Sequence, residues 1–135
     1  MQYLLDTNIC VFLLRGKYDV NKAIARVGSN NCHISELTAM ELKYGAELLF
    51  QRDGIDQRDQ LNEMLNSVDV LPIDNAIDMA ASEKARLRLK GTPIDDDFDL
   101  LIGCTAVAND MTMVTENTKD FKNLTGIKLE NWITR

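Results

Sequence analysis

The chain has 135 residues, 45% hydrophobic and 27% charged, enough for one domain over residues 1–135 that buries about two-thirds of its unfolded surface without disulfide or metal staples. Its formal net charge of −6 excludes nucleic-acid binding through a broad basic surface, because phosphate neutralisation drives such binding, and any nucleic-acid activity is local. No apolar run approaches the ~18 residues that cross a bilayer, and the N-terminus lacks the charged start and cleavage site of a signal peptide, so the expected address is cytoplasmic, with no membrane partner.

Tyr3-Leu4-Leu5 reads as an apolar strand that ends on Asp6 and turns at once into a helix running to Leu14. Asp6 is thereby set at the carboxyl edge of a sheet, where open α/β folds hold their ligands. For that motif taken alone, a helix cap by Asp6 or Asn8 is the competing reading. Arg15 to Asp19 reads as a turn, and Val20 to Val27 as a short amphipathic helix ended by Gly28-Ser29-Asn30-Asn31. Cys32-His33-Ile34 is a short strand. His33 is the only histidine, and its neighbour Cys32 points to the opposite face of the strand, so the two make no nucleophile and base pair. A packed or exposed role is expected for it. Cys10, Cys32 and Cys104 are widely spaced in apolar stretches and read as reduced core residues. Two basic groups, Arg15, Lys17, Lys22 and Arg26, then Lys84, Arg86, Arg88 and Lys90, read as solvated helix faces.

Ser35-Glu36-Leu37-Thr38 opens a long helix through Leu49 or Phe50, with Ser35 or Thr38 as its cap. At helical spacing Leu37, Met40, Tyr44 and Leu48 form one apolar arc, and Glu41 falls inside it, on the face expected to meet the core. A buried carboxylate needs a cationic partner or a metal, so Glu41 is either half of a structural ion pair or a ligand. Gln51 to Gln60 is a polar loop around Gly54, and a helix closes over Leu61 to Leu65. Val68 to Leu71 is a strand stopped by Pro72, and Asn75 to Lys90 a helix ended by Gly91 and Pro93.

Ile94-Asp95-Asp96-Asp97-Phe98-Asp99 then leads into Leu100 to Ala108. The acids at 95 to 97 suit a helix N-terminus through capping and the macrodipole. Asp99 lies about one turn inside a helix that is apolar almost all round, stacked with Ile102, Gly103 and Ala106. A glycine there costs about 1 kcal/mol relative to alanine, which implies close packing against this face. Met111 to Thr115 is the next strand, with Glu116-Asn117-Thr118-Lys119-Asp120-Phe121 at its carboxyl end. Ile127 to Glu130 makes a short edge strand, and Trp132 covers the core.

Strands and helices alternate throughout, which predicts a parallel sheet with helices on both faces. Asp6, Asn117 and the adjacent Glu116 then share one sheet edge, and Glu41 and Asp99 lie on helices that pack over it. Carboxylates gathered in one place raise one another's pKa values. A divalent cation removes that conflict.

Four stretches in order, Leu5-Asp6-Thr7-Asn8, Ser35 to Gly45, Phe98-Asp99-Leu100-Leu101-Ile102-Gly103 and Thr115 to Phe121, give the chain a resemblance to the PIN-domain ribonucleases. Within these it resembles the VapC toxins of type II toxin–antitoxin pairs. The resemblance covers Tyr3 to Trp132 and implies a three-layer α/β/α sandwich with a central, mainly parallel sheet. It implies that Asp6, Glu41 and Asp99 are the metal-binding acids, holding magnesium (Mg2+) or manganese (Mn2+). Asn117 stands where many members have a fourth acid. Either Asn117 serves as a neutral ligand or hydrogen-bond donor, or Glu116 or Asp120 takes part.

The leading expectation is a metal-dependent endoribonuclease in which a positioned water attacks an RNA phosphodiester in line. Thr7, Asn8 and Thr115 are placed to hydrogen-bond a water or a phosphate oxygen there. The resemblance further implies a VapB-like antitoxin partner, a homodimer or toxin–antitoxin hetero-oligomer, and structured RNA substrates, with tRNA, and initiator tRNA in particular, as the leading case. The alternatives are an aspartyl-nucleophile phosphatase, whose usual second acid two residues on is here Asn8, and a non-catalytic binding module on the same scaffold.

Overall fold

Side-chain alternation along short strands sets the two faces of a central sheet. The computed structural model describes residues 1–135 and contains β1 (Tyr3–Leu5), β2 (Cys32–Ser35), β3 (Asp69–Leu71), β4 (Thr112–Val114) and β5 (Lys128–Glu130). All are parallel, in the order β3-β2-β1-β4-β5. The helices are α1 (Thr7–Leu14), α2 (Val20–Val27), α3 (Glu36–Asp53), α4 (Arg58–Ser67), α5 (Ile77–Lys90), α6 (Asp97–Ala108) and α7 (Thr118–Phe121).

Tyr3, Leu5, Cys32, Ile34 and Val114 point to one face, where they pack with Ile9, Cys10, Val20, Leu42 and Leu61 from α1 to α4. Leu4 and Met113, one residue out of step, point to the other face and meet Ile102 and Ala106 of α6 and Phe121 of α7. Beneath α5, Ala80 and Leu87 pack with Leu100 and Cys104 of α6. Period-2 alternation thus divides the core into two layers around one sheet, the α/β/α sandwich. The sheet is wholly rather than mainly parallel, because even the terminal edge strand β5 runs beside β4 in the same direction. From the central β1 the chain steps outward to β2 and β3 on one side, then returns to place β4 and β5 on the other. The crevice at the carboxyl ends of β1 and β4 is therefore the topological switch point.

Several local expectations hold and others need correction. The three cysteines are buried and free. His33 is packed, not exposed: its Nδ1 lies 2.7 Å from Asp69 Oδ2, and its Nε2 lies against Gln2 Oε1. The loop after α3 is shorter than the composition of residues 51 to 60 suggests, because α3 continues to Asp53 and α4 starts at Arg58. Gly54 ends α3 with φ 68°, a left-handed turn that favours glycine. Arg86 is no solvated charge, since its guanidinium grips the buried carboxylate of Glu83 and donates to the Asn123 carbonyl at 2.7 Å.

The largest correction concerns α3. Met40, Tyr44 and Leu48 are 47%, 63% and 41% exposed, so the apolar arc faces outward from Met40 on, with Leu37 alone packed against the core, and Glu41 does not enter the core with it. Thr38 and Leu42 face inward instead. Between Leu37 and Phe50 apolar residues occur on nearly every side of the helix, so periodicity alone does not select a face. Packing against α1 and α4 does.

Candidate functional site: an acidic cluster at the switch point

Asp6 follows β1 and is both the cap of α1 and a buried acid, 5% exposed. Its Oδ1 accepts the Thr7 backbone N–H at 2.8 Å, and its Oδ2 accepts the hydroxyl of Thr115, just past β4, at 2.9 Å. Burial raises its pKa, the two hydrogen bonds oppose that rise, and the charge of Asp96 adds to it. Asp99 stands in the first turn of α6. Its carboxyl is pushed up to about 6, first by burial and then by the negative charges of Asp6, Asp96, Glu41 and Asp120. None of these five acids takes part in a salt bridge.

The remaining polar groups fall into two sets. Glu41, on α3, accepts the Thr7 hydroxyl at 2.8 Å through Oε1, and the Thr7 oxygen lies 3.0 Å from the hydroxyl of Thr38. Thr7 therefore spends its proton on Glu41. Asn117 is exposed at the start of α7, and its backbone N–H donates to Thr115 Oγ1 at 3.0 Å. Asn8 is exposed on α1. Glu116 is drawn out of the cluster: Arg135 binds its carboxylate with two guanidinium nitrogens and also reaches the Tyr18 hydroxyl at 3.0 Å. That ion pair holds Glu116 below the usual carboxylate range. Asp120 is the acid of the post-β4 segment whose charge reaches Asp99.

Asp96 is the acid that capping arguments hide. Its Oδ1 accepts the N–H groups of Phe98 at 2.8 Å and Asp99 at 3.2 Å, as a helix cap does. The same carboxylate also adds negative potential at both Asp6 and Asp99. The run of acids from 95 to 97 was the available signal, but spacing does not tell which of them faces the sheet edge.

The donor set is all oxygen, negative and uncompensated, which fits a hard divalent ion. No three His, Cys, Asp or Glu side chains are drawn close enough together to hold a metal directly. The acids thus do not close into a coordination shell by themselves. Beside them runs a groove of about 640 Å³ lined by Thr7, Glu41 and Leu42 and by the cations Arg15, Lys17 and Arg52.

The PIN-domain family model matches residues 3–127, and with the fold and acids described above, the chain belongs to the PIN-domain family. Its relatives narrow the placement to the VapC proteins. The tRNA(fMet)-specific endonuclease VapC of Shigella flexneri is 30% identical, with 98% of each chain covered. Ribonuclease VapC2 of Rickettsia felis is 31% identical at the same coverage. Among solved structures, a chain of the DNA-bound VapBC complex of Salmonella typhimurium superposes with a TM-score of 0.84 at 30% identity, covering 98% of both chains.

Proposed function

We propose that this protein is a metal-dependent endoribonuclease, the toxin of a VapBC-type pair, that hydrolyses RNA with tRNA as its foremost substrate. One observation carries the reading: five acids, Asp6, Glu41, Asp96, Asp99 and Asp120, stand near enough at the switch point for the charges of the other four to act on Asp99, and no cation is paired to any of them. A structural role would leave such a cluster neutralised by lysine or arginine. The names of the VapC relatives support the ribonuclease class, and the VapBC complex supports an antitoxin partner for this chain.

In this reading Asp6, Glu41 and Asp99 would hold Mg2+ or Mn2+ in part through water, since the three side chains do not close on an ion directly, with Asp96 and Asp120 adding negative potential. When bound, such an ion stabilises charge on the phosphodiester and makes water a better nucleophile at neutral pH. The chain's own residues supply the geometry. Thr115 and the Thr7 N–H fix both oxygens of Asp6, the Thr7 hydroxyl fixes one oxygen of Glu41, and the first turn of α6 carries Asp99 within reach of their charges. Water attack leaves a 5′-phosphate and a 3′-hydroxyl. Attack by the ribose 2′-hydroxyl would need acid–base groups such as histidine, and His33 is committed to Asp69 and Gln2.

The test is to incubate the purified, partner-free protein with total RNA and with isolated tRNA, with magnesium, with manganese and with excess chelator, and to map the cut ends. Metal-dependent cuts bearing 5′-phosphates are expected, and His33→Ala retains them. Full cleavage in chelator, or 2′,3′-cyclic ends, would reject the mechanism. Survival of tRNA while other RNAs are cut would reject the substrate class.

A further inference from the structure

Thr38 is fully buried in the first turn of α3, three residues before Glu41, and its hydroxyl has one hydrogen-bond partner, Thr7 Oγ1 at 3.0 Å. Directionality follows from proton counting. The Thr7 hydroxyl has one proton and gives it to Glu41 Oε1 at 2.8 Å. Its oxygen therefore accepts from Thr38, and the chain reads Thr38 O–H to Thr7 O–H to the Glu41 carboxylate. Thr38 stands at the third position of α3, where the residue four earlier, Ile34, belongs to β2 and no helical carbonyl is offered to its hydroxyl, so its proton goes to Thr7.

We infer that Thr38 is a positioning residue that acts through Thr7 to fix the rotamer and charge distribution of Glu41, the cation-facing acid contributed by α3. The inference rests on the metal-dependent reading given above. Three features carry it. The two hydroxyls join α1 to α3 at the acidic site and at no other polar group. Successive donation polarises each hydroxyl, so the bond received by Glu41 is stronger than one from an isolated threonine. The bond takes one lone pair of Oε1 and leaves Oε2 and the second lone pair of Oε1 for another ligand. Hydrogen-bonded partners behind a ligating carboxylate typically govern metal affinity by about 10–100-fold.

The experiment is a double-mutant cycle on the full chain, with Thr38→Val, Thr7→Val and both together, and Thr38→Ser as the rescue variant. Mn2+ affinity is measured by titration calorimetry on the RNA-free protein, alongside the metal-free melting temperature and the kcat and KM of RNA cleavage. Thr38→Val is expected to weaken Mn2+ binding about tenfold and to lower kcat with KM for RNA unchanged. Thr38→Ser returns both to within about twofold of the parent, and with Thr7→Val already present, adding Thr38→Val changes Mn2+ affinity by less than about twofold. Equal losses on both sides of the cycle, or failure of serine to rescue a folded protein, would show that Thr38 only packs. A parent that binds no Mn2+ overturns the metal-dependent reading, and the role of Thr38 with it. A parent that binds Mn2+ while the cycle is additive overturns the role of Thr38 alone.

Discussion

At Asp99 the cost of gathering acids without a cation becomes measurable. Its carboxyl stands at about 6 in the folded protein against an ordinary 3.8, so the folded state binds the proton more tightly than the unfolded chain. Stability of the metal-free protein therefore falls as pH rises from about 4 through about 6 and levels off above. Allowing for solvent screening at a half-buried site, that loss is about 1 to 2 kcal/mol. Asp99→Asn keeps the shape and removes the charge. Metal-free Asp99→Asn is expected to melt at or above the metal-free parent at pH 7, to lose this pH dependence, to bind Mn2+ more weakly and to lose nearly all cleavage. A variant that melts well below the parent yet still cuts RNA would make Asp99 structural. The same scale separates the candidates after β4. Glu116 is neutralised by Arg135, whereas the charge of Asp120 reaches Asp99. Glu116→Gln should leave Mn2+ affinity within about twofold of the parent, while Asp120→Asn weakens it by up to about tenfold, as calorimetry would read.

Between elements, two close approaches hold α5, α6 and the segment after β4 in register. A Cβ on Gly103 of α6 would lie 2.9 Å from Leu124 Cδ2 and 3.3 Å from Phe121 Cδ1. Glycine here trades helix propensity for contact between α6 and the α7 region, and the contact holds α7, which Asn117 precedes and Asp120 belongs to. Gly103→Ala is expected to destabilise the protein by about 1 to 3 kcal/mol through overpacking, despite alanine's better helix propensity, as urea denaturation would show. Glu83 does the polar equivalent from α5. It accepts from Arg86 and from the Thr125 backbone N–H at 2.6 Å, and these bonds hold its pKa at about 2 against an ordinary 4.5. A depressed acid stabilises the fold above its unfolded pKa, so this contribution is lost as pH falls from about 4.5 towards 2. Glu83→Gln should flatten that part of the acid-unfolding curve and leave the region above pH 6 unchanged in slope.

Across the whole molecule, a net charge of −6 surrounds a site meant for a polyanion. Few phosphates can be neutralised at once, and the cations that line the groove beside Glu41 are Arg15, Lys17 and Arg52, with Arg52 already paired to Asp53. RNA affinity should therefore fall only gently with salt, with a log–log slope of about −2, since each phosphate neutralised on a single strand contributes about −0.7. A slope steeper than about −5 in filter-binding assays would mean that a much wider basic surface engages the RNA. No helix is long and apolar enough to cross a membrane.

The succession of strands and helices, the place of Asp6 at the end of the first strand, the burial of the cysteines and the close packing implied by Gly103 are all legible along the chain. Each is written in a local pattern: a period of two or 3.6, a cap, a glycine where alanine would serve better. Which face of α3 turns inward is settled only by packing, because a helix with apolar residues on most sides takes its face from its neighbours. Tertiary structure also decided that Glu116 turns to Arg135, nineteen residues on, while Asp120 stays beside Asp99. Sequence gives the direction of a strand residue but not of a side chain in the bend and the single helical turn that follow it. The line from Thr38 through Thr7 to Glu41 joins two helices 31 and 34 residues apart along the chain. Such a chain of hydroxyls leaves no periodic trace, for its direction is fixed only when the helices meet and each proton has one acceptor within reach.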